Sequence, residues 1–417
     1  MLQARGFKCL IVLICPLLLF LVSCDYKGPD ALWNPDYDLG ITPVIENVSP
    51  EDVAVAGISQ IIINGQNFST DASQNTVYFG NARVDVKQAS ANQLVVYRPN
   101  LAAENFAVKV AVEGSVMHGV FSPYSVESIG GLYVEAKTIG KANAIAMASD
   151  GTLYLHVDKK DLYRVTPLGD MELVIDNTKP KSVYDMKVGP DGYIYFARDR
   201  NYIQRALLEG DGVEREFEDF GDGIRGNIKY FDFDINLNIF AGGAKTGLFF
   251  IKSDGTNENL GIYNDFDIKS IRVFDNAVYV AALYTGEDTS IPEAGIWKTD
   301  ITSADGQVGD LTLVLDWSST GDFTETQFTD INFDEDGVLF VATDGGPDNS
   351  LDPVLMVTLD GSVETFYKGG LLQGIVYELM WSNDAALFYL RDIGDVNLYE
   401  IHRLDMAVNG APEFGRQ

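Results

Sequence analysis

Apolar and polar positions alternate with a period of two along nearly all of this chain, and the alternation breaks at glycine, asparagine, aspartate and serine. Ile61-Ile62-Ile63, Val77-Tyr78-Phe79, Leu94-Val95-Val96 and Val108-Lys109-Val110-Ala111-Val112 are short runs of this kind between residues 41 and 126. Such runs, bounded by turn residues, predict strands. About 85 residues of them suit a small β-sandwich.

From Gly130 onward a different unit repeats: an apolar strand, a turn, and a second strand rich in leucine, tyrosine and phenylalanine. Its turns fall at Asp150, Asp191, Asn236, Asp275, Asp336 and Asp384, with spacings of 41, 45, 39, 61 and 48 residues. Asp-Gly between alternating runs is a strong hairpin signal, because glycine supplies the positive φ that the turn needs. Third strands recur at Leu162–Val165, Leu248–Ile251, Gly295–Lys298 and Leu398–Ile401. A period in the forties with about four strands per unit predicts a β-propeller, and six units predict six blades. Leu132–Lys137, ahead of the first unit, is expected to complete the last blade and close the ring, which removes exposed sheet edges. The fold class is therefore all-β, an immunoglobulin-like sandwich followed by a six-bladed propeller.

The first 24 residues break this pattern. Arg5 and Lys8 precede an apolar stretch from Cys9 to Val22 that ends in Leu21-Val22-Ser23-Cys24. This is the layout of a secretory signal, and the stretch is short for a membrane span, which needs roughly 20 residues. Cysteine after Leu-Val-Ser resembles a bacterial lipobox. That resemblance implies cleavage after residue 23 and acylation of Cys24, against an ordinary signal peptide with an incidental cysteine. Residues 24–40 then read as a tether, rich in proline, glycine and aspartate. Cys9 and Cys15 lie in the segment to be removed, so the processed chain would keep Cys24 alone and form no internal disulfide.

Two further resemblances cover the rest. Pro43–Pro50, Gly57, Ile63-Asn64-Gly65-Gln66-Asn67-Phe68, Val77-Tyr78-Phe79-Gly80, Ala82, Pro99 and the strand ending at Gly114 resemble the IPT/TIG immunoglobulin-like domains, over residues 41–126. That family implies an interaction or spacer module without chemistry. The repeats from 131 to 417 resemble the NHL and gluconolactonase-like six-bladed propellers. The whole arrangement looks like the exported lipoproteins of Bacteroidota, some of which stand beside outer-membrane glycan-uptake systems.

Charge narrows the partners. The formal charge is −31, and removal of residues 1–23 takes away Arg5 and Lys8 and no acid, leaving −33. Such a chain is disfavoured on nucleic acid. A site is expected where loops cluster. The loop between second and third strands is short in the first three units and expands to residues 284–294 and 343–353 in the next two. The connector 318–328 between those two is long as well, and all three would rim one face. Basic candidates there are Lys160, Arg198, Arg200, Arg225 and Lys245, with Lys159, Lys179 and Lys181. Acidic ones are Glu287, Asp322 and Asp344, with Asp288, Glu293, Glu325, Asp348 and Asp352. Tyr202, Tyr284 and Trp317 are candidates for stacking on sugar faces, whereas Trp297 and Trp381 are expected in the core. The run Asp344–Asp352 has oxygen ligands that could hold a structural calcium through Asp344, Asp348 and Asp352, although EF-hand spacing is missing.

Catalytic signals are thin. His118, His156 and His402 stand in separate regions, and no Gly-x-Ser-x-Gly, His-Glu-x-x-His or Walker loop occurs. The expectation is a non-enzymatic binding protein, lipid-anchored in the outer membrane, whose propeller face takes a glycan or an envelope protein in support of polysaccharide uptake. The alternatives are a metal-dependent lactonase or lyase, since the resembling lactonases bind a metal in the channel, and a structural protein of envelope assembly. No cofactor beyond the candidate calcium is expected.

Overall fold

The computed structural model describes residues 40–135, 140–158, 160–176, 178, 181–207, 217–346, 350–359, 361–368, 374–392 and 399–416. Cys24, Lys159, Lys179 and Asp348 lie outside them.

Two sheets face each other in the first unit. One runs in the order Val44–Ser49, Gln60–Gln66, Gln93–Tyr97, Val86–Ala89; the other in the order Val53–Ala54, Gly119–Val126, Ala103–Val112, Asn75–Phe79, Ala82–Val84. The alternation expected for a sandwich is present: Ile61, Ile63, Val77, Phe79, Leu94, Val96, Val108 and Val110 point inward and are fully buried. At one end the Arg98 side chain, also buried, donates to the Ala54, Val55, Ile58 and Glu127 carbonyls. It satisfies carbonyls of the loop that would otherwise be orphaned where the sandwich meets the next unit.

Six four-stranded antiparallel sheets follow, and together they form a six-bladed propeller. The inner strands are Ala142–Met147, Asp185–Val188, Tyr230–Phe233, Phe266–Phe274, Phe328–Phe333 and Ile375–Trp381. Each ends in the hairpin that the turn residues announce. Gly151, Gly192 and Gly337 have φ of 83°, 78° and 86°, and in the third blade Leu237 takes the equivalent position at 65°. The strand before the first blade, Gly130–Glu135, pairs antiparallel with Tyr399–Asp405 of the sixth and closes the ring. It starts two residues earlier than the apolar run suggested.

Within each inner strand, alternate residues go to two places. Ile145, Met186, Phe231, Ile271, Ile331 and Leu379 are buried between neighbouring sheets, each in its own apolar cluster. The residues between them face the axis. The registers set the start of each inner strand against the end of the second strand, as in Asp185 with Ala197 and Tyr230 with Gly242. Connectors between blades and loops between second and third strands therefore share one end of the ring, and the hairpins share the other.

Candidate functional site

Two rings of side chains line the axis. Near the connector end stand Asp185, Tyr230, Ser270, Asp330 and Glu378; one step deeper stand Lys187, Asp232, Arg272, Asn332 and Met380. Above both, in four of the six blades, the register slips by one residue, between Ala142 and Ala144, Ile268 and Ser270, Phe328 and Asp330, and Val376 and Glu378. A bulge of this kind re-aims a side chain. The extra residues, Asn143, Lys269, Thr329 and Tyr377, all line the cavity.

The cavity holds about 450 Å³ and is blind. Its floor is the C-terminal segment, which crosses the hairpin end of the ring. Gly410 bridges Asp334 and the Ala411 N–H donates to the Phe333 carbonyl at 2.9 Å. Gly415 lies so close to Phe233 and the Val188 carbonyl that a Cβ would sit 2.6 and 2.7 Å from them. Arg272 fixes this segment from inside. Its guanidinium donates to Asp232 Oδ2 at 2.7 Å, Asn332 Oδ1 at 3.0 Å and the Pro412 carbonyl at 2.9 Å, with Arg272 only 2% exposed.

The carboxylates of the upper ring hold one blade to another. Asp185 Oδ2 accepts the Phe231 N–H at 2.9 Å, Asp330 Oδ2 the Leu379 N–H at 2.8 Å, and Glu378 Oε2 the Ile145 N–H at 2.8 Å. Asp330 Oδ1 also accepts from the Ser270 hydroxyl at 2.6 Å. Burial pushes the Asp330 carboxyl up to about 6, although these bonds oppose the shift. Burial, with Asp185 and Asp330 nearby, raises Glu378 well above the ordinary carboxylate range, and burial also raises Asp185. Lys187 stands among them, its Nζ 3.6 Å from Asp185 Oδ1. Burial alone would lower its pKa, but Asp185, Asp232, Glu413 and Asp330 outweigh that and raise it. The mouth adds Tyr184, Tyr230 and Tyr377; Lys141 Nζ lies 5.9 Å from the Tyr377 ring, which stacks on Tyr399 with centroids 6.1 Å apart.

This set of donors suits hydrogen bonding to a polar solute. Among the described residues no three His, Cys, Asp or Glu side chains converge as metal ligands, and the Lys187 ammonium stands 3.6 Å from Asp185.

The residues singled out from loop lengths lie elsewhere. Of the eleven candidates for ligand contact, only Asp344 belongs to the cavity wall, and its Oδ1 accepts the Gln327 and Gly346 N–H groups at 3.0 Å each. Lys160 faces solvent beside Asp161, 3.6 Å away, and Arg200, Arg225, Lys245 and Glu287 are exposed. Arg198 donates to Gln204 within its own blade at 2.8 Å, and the partly buried Tyr202 is outside the wall. Tyr284 packs on Phe266, ring centroids 5.0 Å apart, and its hydroxyl accepts the Asp288 N–H, so it braces its own loop. Trp317 corrects the expectation of sugar stacking. It is 3% exposed, donates to the Thr326 carbonyl and meets Phe328 edge-on, which leaves no ring face for a ligand. Trp297 and Trp381 are core residues, as expected. The cavity residues themselves carry no local motif. Their one signal is a polar residue inside an otherwise buried strand, as in Asp185-Met186-Lys187-Val188 and Asp330-Ile331-Asn332-Phe333.

The sandwich has a family. Residues 43–126 match the family model described as IPT/TIG domain. They form an IPT/TIG domain. No curated protein matches the chain. Among solved structures, an auxiliary nutrient binding protein from Bacteroides ovatus ATCC 8483 is similar at 14% identity, covering 91% of this chain and 100% of its own, with a TM-score of 0.47. One from Bacteroides thetaiotaomicron VPI-5482 is similar at 12% identity over 88% and 99%, TM-score 0.48. Virginiamycin B lyase from Staphylococcus aureus is similar at 13% identity over 66% and 84%, TM-score 0.41.

The IPT/TIG domain leans on the fifth blade. The Gly57 N–H donates to the Tyr367 hydroxyl at 3.0 Å, Gln60 and Lys87 both reach Glu364, and Lys368 pairs with Asp85 at 3.3 Å. Gly57, at φ 86°, is required here, since a Cβ would lie 2.2 Å from the Ala407 nitrogen. A crevice between the IPT/TIG domain and this blade is lined by Asp322 and Asp352. The acids of the candidate calcium loop are thereby divided, Asp344 on the axial cavity and Asp352 in the crevice.

Proposed function

We propose that this chain is a lipid-anchored binding protein of the outer membrane, held at Cys24, with the IPT/TIG domain as spacer and the propeller as receptor for the end of a glycan. The observation that carries the reading is the blind axial cavity. Its volume, about 450 Å³, lies in the range of small-molecule sites and is too small for a folded partner. Carboxyl groups on the wall exchange hydrogen bonds with sugar hydroxyls, and tyrosine rings at the mouth suit the apolar face of a sugar ring. A ligand of this sort needs no metal and no nucleophile, and the cavity offers the Lys187 ammonium, held protonated by its acidic neighbours. Accessory work in polysaccharide uptake follows from combining such a receptor with an anchor.

Calorimetric titration of the purified chain with neutral, acidic and amino mono- and disaccharides tests the reading. Saturable binding of at least one, without turnover, is expected. Hydrolysis or elimination of a bound sugar or lactone would favour the enzyme reading, and no binding of any member would remove the glycan.

A further inference from the structure

Large apolar side chains are exposed at one end of the IPT/TIG domain. Ile41 is 74% exposed, Val116 65%, Met117 60% and Val120 52%. They are neighbours: the Gly40 N–H donates to the Gly114 carbonyl at 2.9 Å, Gly40 bridges Ser115, and Gly119 lies against the Pro43 carbonyl. Elsewhere the most exposed apolar residues, Leu168, Leu359 and Ile235, are single and sit on hairpins of three different blades. Scattered residues of that kind need no explanation, whereas a contiguous group marks a contact.

The registers place this group at the end of the sandwich far from the propeller. Val44 pairs with Gln66 and Ser49 with Ile62, so the Gln60 end of that strand, which touches Glu364, is the opposite one. On the other sheet Gly119 pairs with Val110, and Val126, at the strand's far end, leads into the propeller. The strands between the two ends are seven and eight residues long, roughly 25 Å at about 3.3 Å per residue. The chain enters at this same end, and Cys24 stands sixteen positions before Gly40.

We infer that Ile41, Val116, Met117 and Val120 form a tip that rests in the surface of the bilayer holding the lipid on Cys24, with the propeller carried on the far side. The inference rests on the reading of Cys24 as a lipid anchor. An anchor so close in sequence keeps the tip within reach of the lipid, and exposed aliphatic side chains fit the acyl boundary. The charge of −31 disfavours anionic headgroups, so the surface is a zwitterionic one.

The test uses the full chain, expressed with its signal and reconstituted into phosphatidylcholine vesicles. With Cys24 acylated, a cysteine introduced by Met117→Cys is the one reactive thiol and takes an environment-sensitive fluorophore; Leu168→Cys, on the first blade, is the control. Co-flotation with vesicles reports the anchor, and quenching by spin-labelled acyl chains reports the tip. The inference expects co-flotation with at least twofold quenching at 117 and none at 168. Co-flotation without quenching at 117 overturns the tip and leaves the anchor standing. Failure to float overturns both. A blue shift at 117 without lipid, together with a doubled mass in light scattering, would assign the surface to a second copy and overturn the bilayer.

Discussion

Glu378 Oε2 accepts the backbone N–H of Ile145 at 2.8 Å, and this single bond links the inner strand of the last blade to that of the first. The same device recurs from Asp185 to Phe231, Asp232 to Val273 and Asp330 to Leu379. Side chains that line the cavity are thus also the fasteners of the ring. Replacing Glu378 with Ala should orphan the Ile145 N–H and cost about 1–3 kcal/mol in chemical denaturation. Glu378→Gln keeps the acceptor and should cost much less. Equal losses in the two variants would show that the bond does not fasten the blades.

Stability should depend on pH through the same residues. The unfolded Asp330 carboxyl loses its proton near pH 4, whereas in the fold burial holds the pKa at about 6. Between these values the folded state binds more protons, so stability falls as pH rises from about 4 to about 6. Burial raises Glu378 as well and extends the fall upward. Asp330→Asn can still accept the Leu379 N–H, and it should flatten the lower part of this slope, by on the order of 2 kcal/mol across the window. Denaturant midpoints at several pH values measure it, and an unchanged slope would remove Asp330 from the account.

Arg272 and Asp232 are both buried, and their ion pair at 2.7 Å sits above the C-terminal floor. Arg272→Met should cost about 3–5 kcal/mol, because Asp232 is left as a buried charge without its partner. Asp232→Asn in the same chain should recover a large part of the loss, and the urea midpoints of the two variants give the comparison.

The floor itself can be lifted. A Cβ on Gly410 would lie 2.2 Å from Trp381, so Gly410→Val should displace the segment that follows. Proteolysis after Ala411 should become rapid, and sugar binding should weaken at least tenfold. Resistance to protease equal to the parent's would mean that the segment is held without this close approach.

Most of the fold is legible in the sequence, because hairpin chemistry is local. Asp150-Gly151, Asp191-Gly192 and Asp336-Gly337 mark three turns outright, and the apolar run near Leu132 marks the closing strand. The site is not legible in the same way. Asp185, Tyr230, Ser270, Asp330 and Glu378 are contributed one per blade, forty or more residues apart, and converge only when the ring closes. Loop length pointed to the end of the propeller where the axial cavity opens but to residues outside its wall, since long loops such as 284–294 fold on themselves through Tyr284 and Asp288. Trp317 shows the limit of residue type as a guide. Trp317→Ala should cost about 3–5 kcal/mol of stability with sugar affinity nearly unchanged, whereas Tyr377→Ala should weaken sugar binding, since Tyr377 lines the cavity.

The central claim is that ligand occupies the axial cavity. Asn143 is a bulge residue on its wall whose Nδ2 is buried without a hydrogen-bond partner, so Asn143→Trp should fill the mouth at little cost to the fold. Calorimetric titration of this variant with the sugar that binds the parent chain is the direct measurement. The account expects affinity to fall at least a hundredfold with thermal unfolding within a few degrees of the parent. Undiminished affinity in a chain whose mouth is filled would contradict it and return the site to the outer rim.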